Sequence, residues 1–357
     1  MGLSAAILLA ALAAPRAAPD TSQPYLVSAN TMKVQSLADD RITWLFGRVE
    51  ITHGTTVLRG DSAWASSITG QALIWGRFIM SDRTAVITGA RATYAKSAGR
   101  AVVKGDARAR DNDWTMTADS IIYLKGLGRS YAAGSVTLAD TAGRNRATGD
   151  FGEYWHDQDY GRLTGRPRFE LRAADTTRLS GTIDADTMEV ERRGAVAVGS
   201  GNVLYQGDSV WAGAGRLVYH RDRGRIELER RPRIWDRHSQ VSARRIDLEL
   251  EDGSFRSAWA GDSAVLRQLS EAAGDTDLIT GDSLRAEFEQ GRIARAAVTG
   301  NAWSRYHQLD KGAAAGRNLA AGDRMDFDFH DGRIARITIR GSSRGAYLEL
   351  PRGKNGP

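Results

Sequence analysis

The sequence predicts an all-β repeat protein, a β-solenoid of antiparallel strands with about two strands in each unit of 29 residues. Three observations predict it. Gly47, Gly76, Gly105 and Gly134 stand 29 residues apart, each closing or opening a short apolar segment, and a fixed period of that size marks stacked supersecondary units. An aromatic beat accompanies them: Trp64, Tyr94, Tyr123 and Tyr154 follow at steps of 30, 29 and 31, and Tyr219 continues after a longer gap. Most segments also alternate apolar and polar residues, as in Val49-Glu50-Ile51-Thr52, Ile246-Asp247-Leu248-Glu249-Leu250 and Asp326-Phe327-Asp328-Phe329. Alternation places one set of side chains on a buried face and the other in water.

Two short motifs recur in phase with this period. One is a small residue and an aspartate leading into an apolar or aromatic position: Gly60-Asp61, Ala118-Asp119, Gly149-Asp150, Gly207-Asp208, Gly281-Asp282 and Gly322-Asp323. The other is glycine, any residue, then valine or alanine: Gly47-Arg48-Val49, Gly105-Asp106-Ala107, Gly134-Ser135-Val136, Gly201-Asn202-Val203 and Gly300-Asn301-Ala302. Between them lie turn residues such as His53-Gly54, Asp111-Asn112-Asp113, Arg223-Gly224, Asp252-Gly253 and Asp331-Gly332, which tolerate the positive φ of tight hairpins. Leu266 to Asp277 reads as a short helix and Gln308 to Asn318 as a polar loop.

The ends and the breaks in rhythm set the domain organisation. Leu3 to Ala14 is an apolar run too short to span a bilayer and long enough for a signal-peptide core, so residues 1–19 are assigned to a signal peptide and the mature chain to an exported location. Residues 24–172 hold the regular repeats. A polar stretch at 172–177 follows Pro167 and reads as a joint. Residues 177–350 continue the stack or form a second domain, and 351–357 form a tail.

The chain has 49 basic and 43 acidic residues, a formal charge of +6, and no cysteine. Thiolate metal sites, disulfides and a lipoprotein anchor are thereby excluded. The basic residues are scattered, which does not match the concentrated stripe of a nucleic-acid binder. His53, His156, His220, His238, His307 and His330 have no zinc spacing, and each repeated aspartate holds an equivalent place in its unit. The sequence therefore points to no catalytic centre, no metal and no cofactor.

If the alternating apolar residues face inwards, Val49, Ile51, Leu58, Ile74, Phe78, Val86 and Val103 line one end of the interior. Met116, Val136, Leu138, Phe169, Leu171, Val203 and Leu217 continue it. Such a face either closes on itself as a filled core or stays open as a groove. Arg48, Arg59, Arg77 and Arg91 are candidates to meet phosphates at a groove mouth.

The small-Asp-x-x-aromatic element, repeated with Gly-x-Val behind a signal-like N-terminus, resembles the OstA-like family. Its members include the periplasmic bridge protein of lipopolysaccharide transport, LptA, and the N-terminal domain of the outer-membrane lipopolysaccharide translocon. The likeness covers about Ser28 to Leu350. It implies an open β-jellyroll, or β-taco, in the periplasm. It further implies that lipopolysaccharide or another multi-acyl glycolipid is carried on the inner face, without covalent chemistry. The terminal strands would serve for head-to-tail self-association or for strand addition to membrane-bound transport components. A ligand-free scaffold or adhesin with a filled core is the alternative.

Overall fold

The computed structural model describes residues 26–349, apart from the short segments 38–39, 54, 82–84, 96, 111–113, 125–126, 141–144, 156–157, 159, 173–178, 192–195, 208–209, 221–222, 238, 252–253, 271–274, 290–291, 311–312 and 331–332. The expected signal peptide, the tail and most of the expected joint at 172–177 lie outside the described residues. Every element described is a β-strand, and the chain divides into two compact units between Ala197 and Val198.

The first unit contains β1 (Leu26–Ser28), β2 (Thr31–Leu37), β3 (Asp40–His53), β4 (Thr56–Ser66), β5 (Gln71–Ser81), β6 (Val86–Ala95) and β7 (Arg100–Arg110). It continues with β8 (Trp114–Leu124), β9 (Arg129–Asp140), β10 (Asn145–Trp155), β11 (Tyr160–Thr164), β12 (Arg168–Arg172), β13 (Leu179–Asp184) and β14 (Thr187–Glu191). From β2 to β10 each strand pairs antiparallel with the next, two strands per repeat.

Each of the long strands is bent once near its middle, and both sequence motifs lie at that bend. Phe46 pairs with Ser62 and Val49 with Gly60, so Gly47 and Arg48 together oppose the single residue Asp61. The extra residue makes a β-bulge, which kinks the strand and re-aims the residues beyond it. Gly47 and Arg48 take φ of 74° and 49°, and Gly76-Arg77, Gly105-Asp106 and Gly134-Ser135 repeat that pair of left-handed residues one unit further on. The register slips at each of them in turn. Glycine comes first because the aspartate of the preceding strand sits directly over it: a β-carbon on Gly76 would collide with the Asp61 carboxylate, and one on Gly134 with that of Asp119.

The small residue before the aspartate has a separate cause. A β-carbon on Gly60 would run into Ile74, and one on Gly89 into Val103. The small position thus makes room for the branched side chain of the next strand. The two motifs are the two sides of one corner, stacked strand upon strand.

The corners divide the sheet into two arms. The front arm ends at the connections that follow Ser66, Ala95 and Leu124, and the rear arm lies beyond the bend. Leu45, Ile74, Val103 and Ile121 on the front arm share one buried apolar cluster with Val49, Phe78, Met116 and Leu138 on the rear arm. The core therefore lies between the arms. At β11 and β12 the bend interrupts the strand altogether: β10 pairs with β11 on the front arm and with β12 on the rear, and Pro167, which has no N–H to give a ladder, lies just past Gly165 and Arg166.

The second unit contains β15 (Val196–Gly207), β16 (Trp211–His220), β17 (Arg225–Glu229), β18 (Arg233–Trp235), β19 (Ser239–Ser242) and β20 (Arg245–Glu251). The longest strands follow: β21 (Ser254–Ser270), β22 (Asp275–Glu289), β23 (Arg292–Asp310) and β24 (Ala313–His330), then β25 (Arg333–Arg340) and β26 (Arg344–Glu349). Corners recur at Asp262-Ser263, Gly300-Asn301 and Gly341-Ser342 with the same positive φ. The buried inner row of the front arm runs through Leu217, Leu228, Ile246, Ala260, Leu284, Val298 and Met325.

Two sequence expectations fail here. Leu266 to Ser270 is strand and not helix, because Val265 and Leu266 pair with Thr280 and Ile279 and the alternation continues through them. The expected loop at Gln308 to Asn318 is the end of a long hairpin, with Gln308 opposite Gly316 and Leu309 opposite Ala314; small residues there satisfy a sheet edge as readily as a loop.

Candidate functional site

The candidate site is the inner face of the bent sheet. In the first unit Val49, Ile74, Phe78, Val103, Met116, Val136 and Leu138 belong to the buried cluster, and the half-buried Ile51 and Leu58 pack against it. Phe169 is buried opposite Ala147. Val203 and Leu217 are buried in the second unit. The side chain of Leu171 lies outside the described residues.

Val86 points the other way. It is 41 % exposed while the next residue, Ile87, is 7 % exposed. Val86 pairs with the outward Ser81, and Ile87 pairs with Met80, which packs on the core. A one-residue shift exchanges the faces of a strand, and the two adjacent β-branched residues gave no alternation from which to choose.

The aromatic beat divides in the same way. Tyr94 stands two residues beyond the core-packing Ala92, and Tyr123 two beyond Ile121, so both face inwards. Trp64 stands one residue beyond the buried Ala63 and faces outwards, opposite Trp44. The spacing from the corner explains this: Trp64 follows Asp61 by three residues, whereas Tyr123 and Tyr154 follow Asp119 and Asp150 by four.

The inner face also contains residues that apolar alternation does not single out. Ala107, Ala109 and Ala132 are completely buried. Only the corner phase could have found them, since alanine carries little apolar signal. A further small-Asp corner lies at Ala185-Asp186, where the Ala185 N–H donates to the Pro167 carbonyl over 3.3 Å. Gly207-Asp208 is no corner: Gly207 ends β15, and the corresponding bend in β16 lies at Gly215, whose N–H donates to the Arg230 carbonyl over 3.0 Å.

In the first unit the arms pack on one another through the buried cluster. A void between the arms of the second unit, lined by Leu266, Asp277, Ile279, Ser304, Tyr306 and Phe327 among others, has a volume of about 10 Å³, room for about one water. The inner face is less covered at the first strands. Met32 is 51 % and Val34 54 % exposed, although their partners Leu45 and Thr43 belong to the inner face.

The proposed phosphate-facing arginines occupy other places. Arg48 donates to the Asn30 side chain over 3.1 Å and Arg77 to Asp61 over 2.6 Å, both along the corner and away from any mouth. The bond from Arg77 holds the Asp61 carboxyl below its usual range. Arg59 pairs with Glu50 at 2.8 Å on the outside of the rear arm. Arg91 lies outside the front arm, opposite Trp75.

Buried polar groups, Ser304 and His307 among them, interrupt the apolar interior of the second unit. His307 meets Asp277 Oδ1 through Nδ1 at 2.6 Å and accepts a bond from Arg317 Nε at its Nε2 over 3.1 Å. A proton on Nδ1 satisfies both ring contacts, and the Asp277 carboxylate also accepts the His307 N–H over 2.8 Å. This arrangement ties β22 to β23 where regular pairing stops after Leu278 and Arg305. Among the described residues no group of three or more His, Asp or Glu side chains forms a metal-binding set, and no helix is long and apolar enough to cross a membrane.

Comparison with known proteins gives a family match and likenesses among solved structures. Residues 26–128 match the family of the LptA/(LptD N-terminal domain) LPS transport protein. Among solved structures, the chain is similar to LptH from Pseudomonas aeruginosa, the LptA-homologous periplasmic component of the conserved lipopolysaccharide transport device. That likeness has 11 % identity, a TM-score of 0.30, and covers 40 % of this chain and 95 % of that one. No curated protein matches the chain.

Proposed function

We propose that this protein is a non-enzymatic periplasmic component of glycolipid transport, which receives the acyl chains of lipopolysaccharide or a similar multi-acyl lipid between the arms of its bent sheet. The observation that carries the reading is the continuous corner ladder. It gives strand after strand the same apolar inner face, and the N-terminal repeats match a lipopolysaccharide-transport family.

Energetics decide whether closed arms are an obstacle. A chain of about ten methylenes transferred from water into the interior gains roughly 8 kcal/mol at ~0.8 kcal/mol each. A lipid with several chains gains a multiple of that. Parting the arms replaces contacts between inner residues with contacts to lipid, so apolar surface stays covered on both sides. The less covered inner face at Met32 and Val34 is a natural place for a chain to enter. Among the described strands, β1 and β2 in the first unit and β25 and β26 in the second are paired on one side only, which suits strand addition to another copy or to a membrane-bound transport component.

A ligand-free scaffold is the second reading, and the full burial of Ala107, Ala109 and Ala132 favours it. Native mass spectrometry of the protein exported to the periplasm of a lipopolysaccharide-making host separates the two. Carriage predicts a discrete adduct of multi-acyl lipid mass that is lost in Phe78→Asp and kept in Val86→Asp. A mass that stays bare after incubation with excess lipid would leave the scaffold.

A further inference from the structure

The outer surface of the front arm in the first unit carries side chains that neither the fold nor the inner face requires. Trp44 and Phe46 on β3, Trp64 on β4, Trp75 on β5 and Tyr131 on β9 each stand one residue from an inward neighbour: Leu45 beside the first two, then Ala63, Ile74 and Ala132. Trp44 stacks on Phe46 with centroids 6.4 Å apart and an interplanar angle of 1°, and packs against Trp64 at 6.1 Å. At the tips of the same arm Ile68 is 62 % and Leu127 61 % exposed.

The rear arm provides the contrast. Its outer positions from β3 to β9 hold residues such as Thr52, Arg59, Thr88, Arg108, Thr117 and Thr137, and no aromatic. The equivalent outer face in the second unit carries Trp259, opposite Asp247, beside a charge network in which Arg245 meets Asp247 at 2.9 Å and Glu227 at 3.2 Å, and Arg216 meets Glu229 at 3.0 Å. The rear arm of the first unit is therefore built without outward aromatics, and the group of them gathered on its front arm needs another cause.

From β2 to β9 the charge on that face is one-sided, and Glu153, opposite Tyr131, and Glu189 follow on β10 and β14. Lys33, Arg91, Arg100, Lys104 and Arg129 share it by register. The acid at its rim, Asp40, is occupied by the Ile68 N–H at 2.9 Å and by the Ser66 and Ser67 hydroxyls. Tryptophan and tyrosine settle at the headgroup level of a bilayer, and cations beside them gain from anionic headgroups. A second copy docking face to face would set these cations against themselves.

We propose that this face docks on an anionic bilayer surface, with Ile68 and Leu127 entering the headgroup layer beside the tryptophans. The proposal goes beyond acyl-chain carriage and does not depend on it. A protein that takes up no free glycolipid but settles on vesicles would support this proposal and sink the other.

The test uses the exported protein with vesicles of phosphatidylcholine alone and of phosphatidylcholine with about a third phosphatidylglycerol. We expect sedimentation with the anionic vesicles, weakened as salt rises, and quenching of tryptophan emission by brominated lipid. The double substitution Trp44→Ser, Trp64→Ser should lower partition tenfold or more. Arg91→Ser and Lys104→Ser should each lower it about fivefold, and Arg108→Ser on the rear arm should leave it unchanged, all with native circular dichroism. Absence of partition at low salt, unchanged partition in the double variant, or loss only with Met32→Asp on the inner face would overturn the proposal. So would a dimer in solution that disappears in Trp44→Ser, Trp64→Ser.

Discussion

At the scale of single residues the structure depends on the corner, where one glycine and one aspartate recur through the repeats. Gly76 takes φ of 76° under the Asp61 side chain. Alanine there would cost about 1–2 kcal/mol for the left-handed backbone alone, and its methyl would displace the carboxylate as well. We expect Gly76→Ala to lower the urea midpoint clearly and Asp61→Asn to lower it less, since the Asp61–Arg77 pair is exposed and largely screened. The effect of Asp61 should depend on pH. The bond from Arg77 depresses its folded pKa below 3.8, so its contribution is complete above that value and lost as pH falls through the folded pKa. The difference between the native protein and Asp61→Asn should therefore be constant near neutrality and shrink below pH 3.8; a gap that widens in acid would contradict the corner role. This corner was visible in the sequence as two separate motifs, because each leaves its own mark: left-handed φ selects glycine, and the overlying branched side chain selects a small residue. That they form one object was not visible, since sequence spacing does not say which residues oppose each other across strands.

At the scale of the strand, legibility stopped at register. Alternation gave the strands and their number per repeat, but β6 opens with Val86 and Ile87 side by side, and only pairing to β5 decides that Ile87 lies inside. Trp64 was misleading in the same way, since it keeps the beat of the repeat from the opposite face. The expected helix at Leu266 failed because a run of Leu, Gln, Ser and Glu fits a helix locally, while the paired strand Thr276–Ile279 decides otherwise. The register of β6 has a direct test. Aspartate in place of Ile87 would bury a charge with no partner among the described core residues and should cost about 3 kcal/mol or more. Aspartate at Val86, on the wet face, should stay within about 1 kcal/mol. Equal losses in chemical denaturation would mean that both residues contribute to the core and that the inner face assigned to this strand is wrong.

At the scale of the whole molecule, a sheet that pairs each strand with its sequence neighbours holds its stability locally. In such arrays the energy is close to a sum of unit and nearest-neighbour terms, and opening proceeds in contiguous pieces. Met116 offers a place to measure this within the first unit. It is buried in β8, two strands from β6 and five from β3, and packs beside Ala109 on β7 and Leu138 on β9. Met116→Ala should cost about 2–5 kcal/mol locally, as buried truncations do. Amide hydrogen exchange should then accelerate most in β7, β8 and β9, less in β5 and β6, and little in β3. An interior that can part over a few strands while the others hold is also what a passing acyl chain requires, because opening the whole sheet at once would expose every inner residue together. If exchange instead accelerates equally from β3 to β14, the first unit opens as one cooperative body. A chain could then enter only at its less covered first strands, beside Met32 and Val34, and not along its length.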